Sequence, residues 1–231
     1  MSHRFVSLVA ALLCLHCAGV APPPQPAGFT EPPQVAEVAL SSPPDGVPIV
    51  LLNGAIDDDM ATAFVQAFTA IGAVQRIVVE INSPGGGVDA GFLIARTMER
   101  SAARIYCIVD GDADSMAFYI LQSCDVRAMT YRSVLMAHGP SLGLQGYFNR
   151  GATRSLLRRT EVLERALFEH MAHRLTIGRE EFLRRIADGA WWMNFDEADQ
   201  VGAVDLTAAT ARGFIRWVEA LPAPVQPAPA P

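Results

Sequence analysis

The chain has 231 residues, is 51% hydrophobic and carries a net charge of −6. That is enough for one sizeable core and the wrong sign for an electrostatic grip on nucleic acid. All 18 basic side chains are arginine, and the lack of lysine excludes Schiff bases, P-loop phosphate binding and serine–lysine catalytic dyads.

The N-terminus reads as an export signal. "MSHRFVSLVAALLCLHCAG" places Arg4 before an apolar run from Phe5 to Leu15, a run too short to span a bilayer comfortably. Two endings fit. Small residues at Gly19 and Ala21 suit ordinary signal-peptidase cleavage, giving a signal over residues 1–21. Alternatively "CLHCAG" resembles a degenerate bacterial lipobox, with Cys17 lipidated and acting as a membrane tether. Both endings put the mature chain in the periplasm or on its membrane. Residues 22–46 and 222–231 are rich in proline and small residues and are expected to be a disordered linker and tail. The folded domain is then residues 47–221.

Within that domain apolar runs alternate with helical patterns. "IVLLNG" (49–54) is strand-like, and "DDDMATAFVQAFTAIG" is a helix opened by acidic residues. "RIVVEI" (76–81) and "RIYCIV" (104–109) are further strands, separated by the helix "GFLIARTMERSA". "SMAFYILQSC" is a short, almost wholly apolar helix and therefore buried. "VRAMT" and "SVLMAH" are strands, followed by a long amphipathic helix from about Tyr147 to Leu175 and by "REEFLRRIADG". This alternation predicts an α/β fold with strands buried on both faces. Cys107 and Cys124 are the two cysteines outside the signal. They could pair in an oxidising compartment, but without tight spacing the reading adopted is a pair of buried free thiols.

In α/β folds ligands gather where strands end and helices begin. "EINSPGGGVDAG" (80–91) is one such junction, and its three consecutive glycines weaken any regular element. A second junction is "VDGDADSMAFYI", where Ser115 opens the apolar helix. A serine there is usually an N-cap. Opposite a bare glycine backbone it acquires a second meaning, since one N–H from each segment would form an oxyanion hole.

"INSPGG" at 81–86, "GDADSMAF" at 111–118 and "SVLMAHGP" at 133–140 resemble the three signature segments of the Clp protease proteolytic subunit family. The 29 positions from Gly86 to Ser115 match that family without a gap, and "DEADQVGAVD" resembles its closing segment. The resemblance spans about Ile49 to Leu206. It implies a ClpP/crotonase-like fold of repeated strand–strand–helix units with a protruding long helix. It also implies Ser115 as nucleophile, His138 as general base, the amides of Gly86 and Met116 as oxyanion hole, and a substrate strand along Gly85, Gly87 and Val88. His3 and His16 leave with the signal, while His170 and His173 lie on the long helix.

The family's third catalytic member is harder to place. Counting back from "GAVD" puts Ala190 at the aspartate position, and Asp188, two residues earlier, is the candidate substitute. Asp112 and Asp114 stand where the family has neutral residues. A carboxylate ~6 Å from the developing oxyanion would oppose it by about 2–3 kcal/mol at an effective dielectric of 20.

The expectation is thus an exported, ATP-independent serine endopeptidase that needs no metal or cofactor and cleaves peptides or unfolded chains. The arginine- and glutamate-rich helix lies where the family stacks its rings, so a homo-oligomer is expected. The alternative is a catalytically impaired module that binds extended segments. A crotonase-type acyl-CoA enzyme shares the fold, but the chain has no basic patch for the phosphates of CoA.

Overall fold

The chain divides into two units, Met1–Pro33 and Gln34–Pro231. The computed structural model describes residues 36–41, 43, 46–140 and 149–222, all in the second unit. The expected signal, the lipidation candidate Cys17, most of the linker and the tail from 223 onward lie outside the described residues.

Chain order begins with β1 (Glu37–Ser41), β2 (Ile49–Asn53) and α1 (Asp58–Ile71), then β3 (Arg76–Ser83) and α2 (Val88–Glu99). The central section is β4 (Arg104–Asp114), α3 (Met116–Gln122), β5 (Val126–Thr130) and β6 (Val134–Ala137). The long helix is α4 (Arg150–Ala172), followed by α5 (Gly178–Ile186), β7 (Trp191–Met193), α6 (Phe195–Gln200), β8 (Leu206–Ala208) and α7 (Ala211–Ala220). The linker reading ends early: "EVALS" inside residues 22–46 forms β1, antiparallel to β2, because its partner strand supplies a register that a lone five-residue segment lacks.

The strands form one sheet in the order β1-β2-β3-β4-β5-β8. β2, β3, β4, β5 and β8 run parallel. β4 is the organising element. Its first half, Tyr106–Val109, pairs with β5, and its last three residues, Asp112–Asp114, pair with β6 instead. β6 in turn carries β7 antiparallel. The sheet therefore forks along β4, and the ends of β3, β4 and β6 are brought together on one side.

Each helix covers the sheet through an apolar stripe. α1 starts where Asp57 caps the Met60 amide at 2.8 Å and buries Met60 and Phe64. α2, α3 and the C-terminal part of α4 complete that face around Ile94, Phe118 and Phe168, while α7 covers the other with Phe214 and Val218. α4 splits into two halves. Its buried residues are Leu167, Phe168, Met171 and Ala172, and none from 150 to 166 is buried.

Two cross-links tie the layers. Arg127, buried in β5, donates to Asp205 at 2.6 Å and to Gln122 at 2.5 Å, and Arg174 also pairs with Asp205. Burial pushes the Asp205 carboxyl up, but the Arg127 hydrogen bonds and the two guanidinium charges outweigh it and hold the group below its ordinary range. The second cross-link corrects the sequence reading. Cys107 and Cys124 are joined in a disulfide with Cα atoms 6.0 Å apart. The 17-residue separation gave no local cue, but α3 runs back along β4 and returns residue 124 to residue 107.

Closing a loop of that length is worth about 3 kcal/mol. Cys107→Ser with Cys124→Ser, or reduction of the native chain, is expected to lower unfolding stability by that amount, read as the shift in urea midpoint with and without reductant.

Candidate active site

The glycine loop follows β3, Ser115 follows β4 and His138 follows β6, so the fork places all three at neighbouring strand ends. The loop is held on two sides. Buried Ser83 accepts the Gly85 N–H at 3.1 Å. Ile56 donates to the Gly85 carbonyl at 2.8 Å and accepts from the Gly87 N–H at 2.7 Å. With those neighbours bound to Ile56, the N–H and C=O of Gly86 face the other way.

The bare backbone has a steric cause. A Cβ on Gly85, at φ +86°, would lie 2.5 Å from the Asp114 carbonyl oxygen and 2.9 Å from the Met116 nitrogen. One on Gly86 would lie 2.1 Å from the Ile56 carbonyl oxygen. The loop is thus pressed directly onto the turn that carries Ser115.

Ser115 has φ +55° and ψ −114°, and among the described residues it is the non-glycine with positive φ. Such a conformation costs of order 1–3 kcal/mol in a residue with a side chain. It sits at the N-cap of α3, yet its side chain makes no capping hydrogen bond. The ordinary reason for a serine at this position is therefore missing. The first amide of α3, from Met116, has no intrahelical acceptor and lies beside Gly85.

Ser115, Met116, Gly86, Val88 and His138 line one cleft of about 260 Å³, whose apolar wall includes Leu167 and Met171 from α4. Ser115 and His138 are not hydrogen-bonded to each other among the described residues, a looseness common in unliganded catalytic pairs. His138 also lines a second cleft of about 560 Å³, with Met136, Ile186 and Ala190. Asp188 is exposed and lines neither cleft. Its neighbours Ala187, Gly189 and Ala190 line the second cleft with His138, and no hydrogen bond joins Asp188 to His138 among the described residues.

The two extra aspartates differ from each other. Asp112 is half-buried, and its N–H donates to Asn82 Oδ1 at 3.1 Å. Asp114 is 7% exposed and its Oδ1 is buried without a hydrogen-bond partner. Burial, and then the charge of Asp112, push the Asp114 carboxyl up to about 6. Among the described residues no group of three or more His, Cys, Asp or Glu side chains could hold a metal ion.

A model of the Clp protease family matches residues 46–210. This chain belongs to the Clp protease family. Its fold is accordingly ClpP-like, and the family is one of serine peptidases that bind peptide substrates and form oligomers. The match covers the glycine loop, Ser115 and His138 together.

Sequence reasoning missed Ser83 as a support of the loop and Asn82 as the acceptor of the Asp112 N–H, since neither carries a signal beyond its place beside the glycines. It also missed a second serine–histidine contact, Ser123 Oγ to His170 Nε2 at 2.9 Å, with Tyr119 stacked on the ring at 4.0 Å. Burial, then His173, push His170 down to about 4, so it is neutral at pH 7. Ser123 closes the C-terminus of α3, where carbonyls rather than amides point outward, so this pair has no oxyanion donors and serves packing.

The Asp114 shift makes a prediction with a definite sign. A carboxyl raised from 3.8 to about 6 favours the fold when protonated. That contribution is complete below about pH 3.8 and is lost as pH rises through about 6. Asp114→Asn should therefore be more stable than the parent by about 3 kcal/mol at pH 8 and nearly equal to it at pH 4, measured by urea unfolding at both values.

Proposed function

We propose that this protein is an exported, ATP-independent serine endopeptidase acting on peptides or unfolded chains. The observation that carries this reading is Ser115, strained and with its hydroxyl unused for capping, in one cleft with His138 and the amides of Gly86 and Met116.

The substrate lies extended along Gly86–Val88, adding a strand to the backbone groups of Gly86 that face away from Ile56. An apolar side chain enters the cleft walled by Val88, Leu167 and Met171. As Ser115 Oγ attacks the scissile carbonyl carbon, His138 takes its proton on one ring nitrogen. The carbonyl electron pair moves onto oxygen, where the Gly86 and Met116 amides receive it, each such donor being worth about 3 kcal/mol. Collapse breaks the C–N bond, and His138 returns the proton to the departing amine. Water then repeats the sequence on the acyl-enzyme and frees Ser115.

Export is supported by the signal-like residues 1–21 and by the Cys107–Cys124 disulfide, a linkage that persists in oxidising compartments such as the periplasm. A lipid on Cys17 would add a membrane tether. Self-assembly is supported by the first half of α4, where Leu157 is 58% and Val162 62% exposed, a costly arrangement for a helix facing only water.

The second reading, an impaired module that binds extended segments, is favoured by the absence of a Ser115–His138 hydrogen bond among the described residues and by Ala190 in the cleft with the histidine. Labelling with a fluorophosphonate probe separates the two. The parent should label between pH 6 and 9, with labelling abolished in Ser115→Ala and reduced at least 1,000-fold in His138→Ala (about 4 kcal/mol). A folded parent that never labels would leave the binding module as the reading.

A further inference from the structure

The reaction described above makes no use of Asp114, although Asp114 stands one residue before the nucleophile and its Oδ1 is shut from water without a hydrogen bond. The pairing of β4 with β6 shows where its side chain goes. Asp112 lies opposite Val134, and Asp114 opposite Met136, in a parallel ladder. Residues opposite each other share a face of the sheet. Leu135 and Ala137 are fully buried in the core, so Val134, Met136 and Asp114 occupy the other face. Met136 lines the 560 Å³ cleft together with His138 and Ala190.

His138 follows Met136 by two positions, one residue past the end of β6, and extending the ladder by that residue makes it the diagonal neighbour of Asp114. Strands about 4.8 Å apart, rising about 3.3 Å per residue, put such neighbours roughly 8 Å apart at the backbone, within reach of an imidazole and a carboxylate extended toward each other. Ala190, on the same side of His138, supplies no oxygen, and Asp188 is turned to solvent. The other charged groups on this face of β3 and β4 are Asp110, Asp112 and Glu80, with Arg76 and Arg104 at the far end of the ladder, and Asp188 beyond α5 is exposed. The cross-strand positions Val134, Met136 and Trp192 carry no charge.

We propose that Asp114 is the carboxylate that orients His138 during catalysis, accepting a hydrogen bond from the ring N–H remote from Ser115. The inference rests on the serine–histidine reading and names its missing third member. Asp114 is a positioning residue. The proton abstracted from Ser115 stays on His138, and the carboxylate steadies the resulting imidazolium. An unpartnered buried carboxylate is expensive, and a cationic ring beside it removes that expense at the moment the ring is charged. A carboxyl held near 6 without this partner is ionised at neutral pH, as the role requires.

The test uses the full chain and Asp114→Asn, which keeps shape while removing the acceptor charge. Fluorophosphonate labelling rates are measured from pH 5 to 9, and the His138 ring nitrogens are titrated by NMR. The expected result is a folded variant that labels roughly 100- to 10,000-fold more slowly at pH 8, with the His138 titration moved to lower pH than in the parent. Labelling at or above the parent rate would overturn the proposal and leave Asp114 as a charge that merely opposes the oxyanion. Slower labelling with an unmoved His138 titration would overturn it too, because Asp114 would then act only on the shape of the turn. A parent that labels at no pH would instead bring down the serine–histidine reading, and this proposal with it.

Discussion

The close approach of two backbones, Gly85 against Asp114–Met116, is the constraint on which the rest of the site depends. No side chain fits between them. Without that approach the Met116 amide would face bulk water, and the Gly86 amide would have no partner donor. The approach also accounts for the fork. β4 must leave β5 and pair with β6 before it ends, because its last residues need β3 on one side and a strand ending in His138 on the other. The register shift between Ile81 and Ser83 in β3 falls at the same level. Ser83 then turns its hydroxyl to the Gly85 amide and fixes the loop from within.

The local energetics run against stability. Positive φ at Ser115, an orphan amide at Met116 and an orphan carboxylate at Asp114 each cost the fold of order 1–3 kcal/mol. A domain with a total stability of 5–15 kcal/mol can carry such a region only if the remainder is well tied. The disulfide and the Arg127–Asp205 pair supply those ties, both at the far end of β4 from Ser115, since Arg127 lies opposite Cys107 in the ladder. Cys107 is on β4 and Cys124 just beyond α3, so the disulfide braces the strand and helix that flank Ser115. Arg127 and Gln122 link β5 and the end of α3 to Asp205. Costs at the turn are offset by bonds at the other end of the same strand and helix.

Much of this was legible in the chain itself. The α/β alternation follows from apolar runs of strand length separated by helical periodicity, and the glycine loop, Ser115 and His138 all stand at strand ends. The Gly86 and Met116 amides were legible because they are backbone groups, whose place depends on glycine and on the start of a helix. What stayed hidden needed a partner from elsewhere in the fold. β1 and β7 are segments of five and three residues that take their register from β2 and β6. The disulfide needed the reversal through α3. Whether Asp114 points inward depends on which face of β6 it meets, and alternation within "GDADSM" alone cannot tell core from cleft once β4 changes partners. Asp188 is exposed although the residues on either side of it line the cleft of His138, a difference that its place in the chain does not signal.

The choice between an enzyme and a binding module can be pressed further on physical grounds. A groove that only captures extended chains needs the free edge of Gly86–Val88 and an apolar wall. It gains nothing from a positive-φ residue at 115, where glycine would sit without strain. Nor does it gain from a buried ionisable group beside that residue, which an alanine would remove at a profit in stability. These features share one quality: each is unfavourable in the resting protein and becomes favourable only when charge develops nearby. In the proposed reaction the Met116 amide would meet an oxyanion, the Ser115 hydroxyl a base, and the Asp114 carboxylate a cation. Sites that pre-orient unsatisfied groups toward charges absent from the ground state are built for a transition state. Three such groups, contributed by adjacent residues of one turn, argue for chemistry at Ser115 more strongly than any one of them does alone.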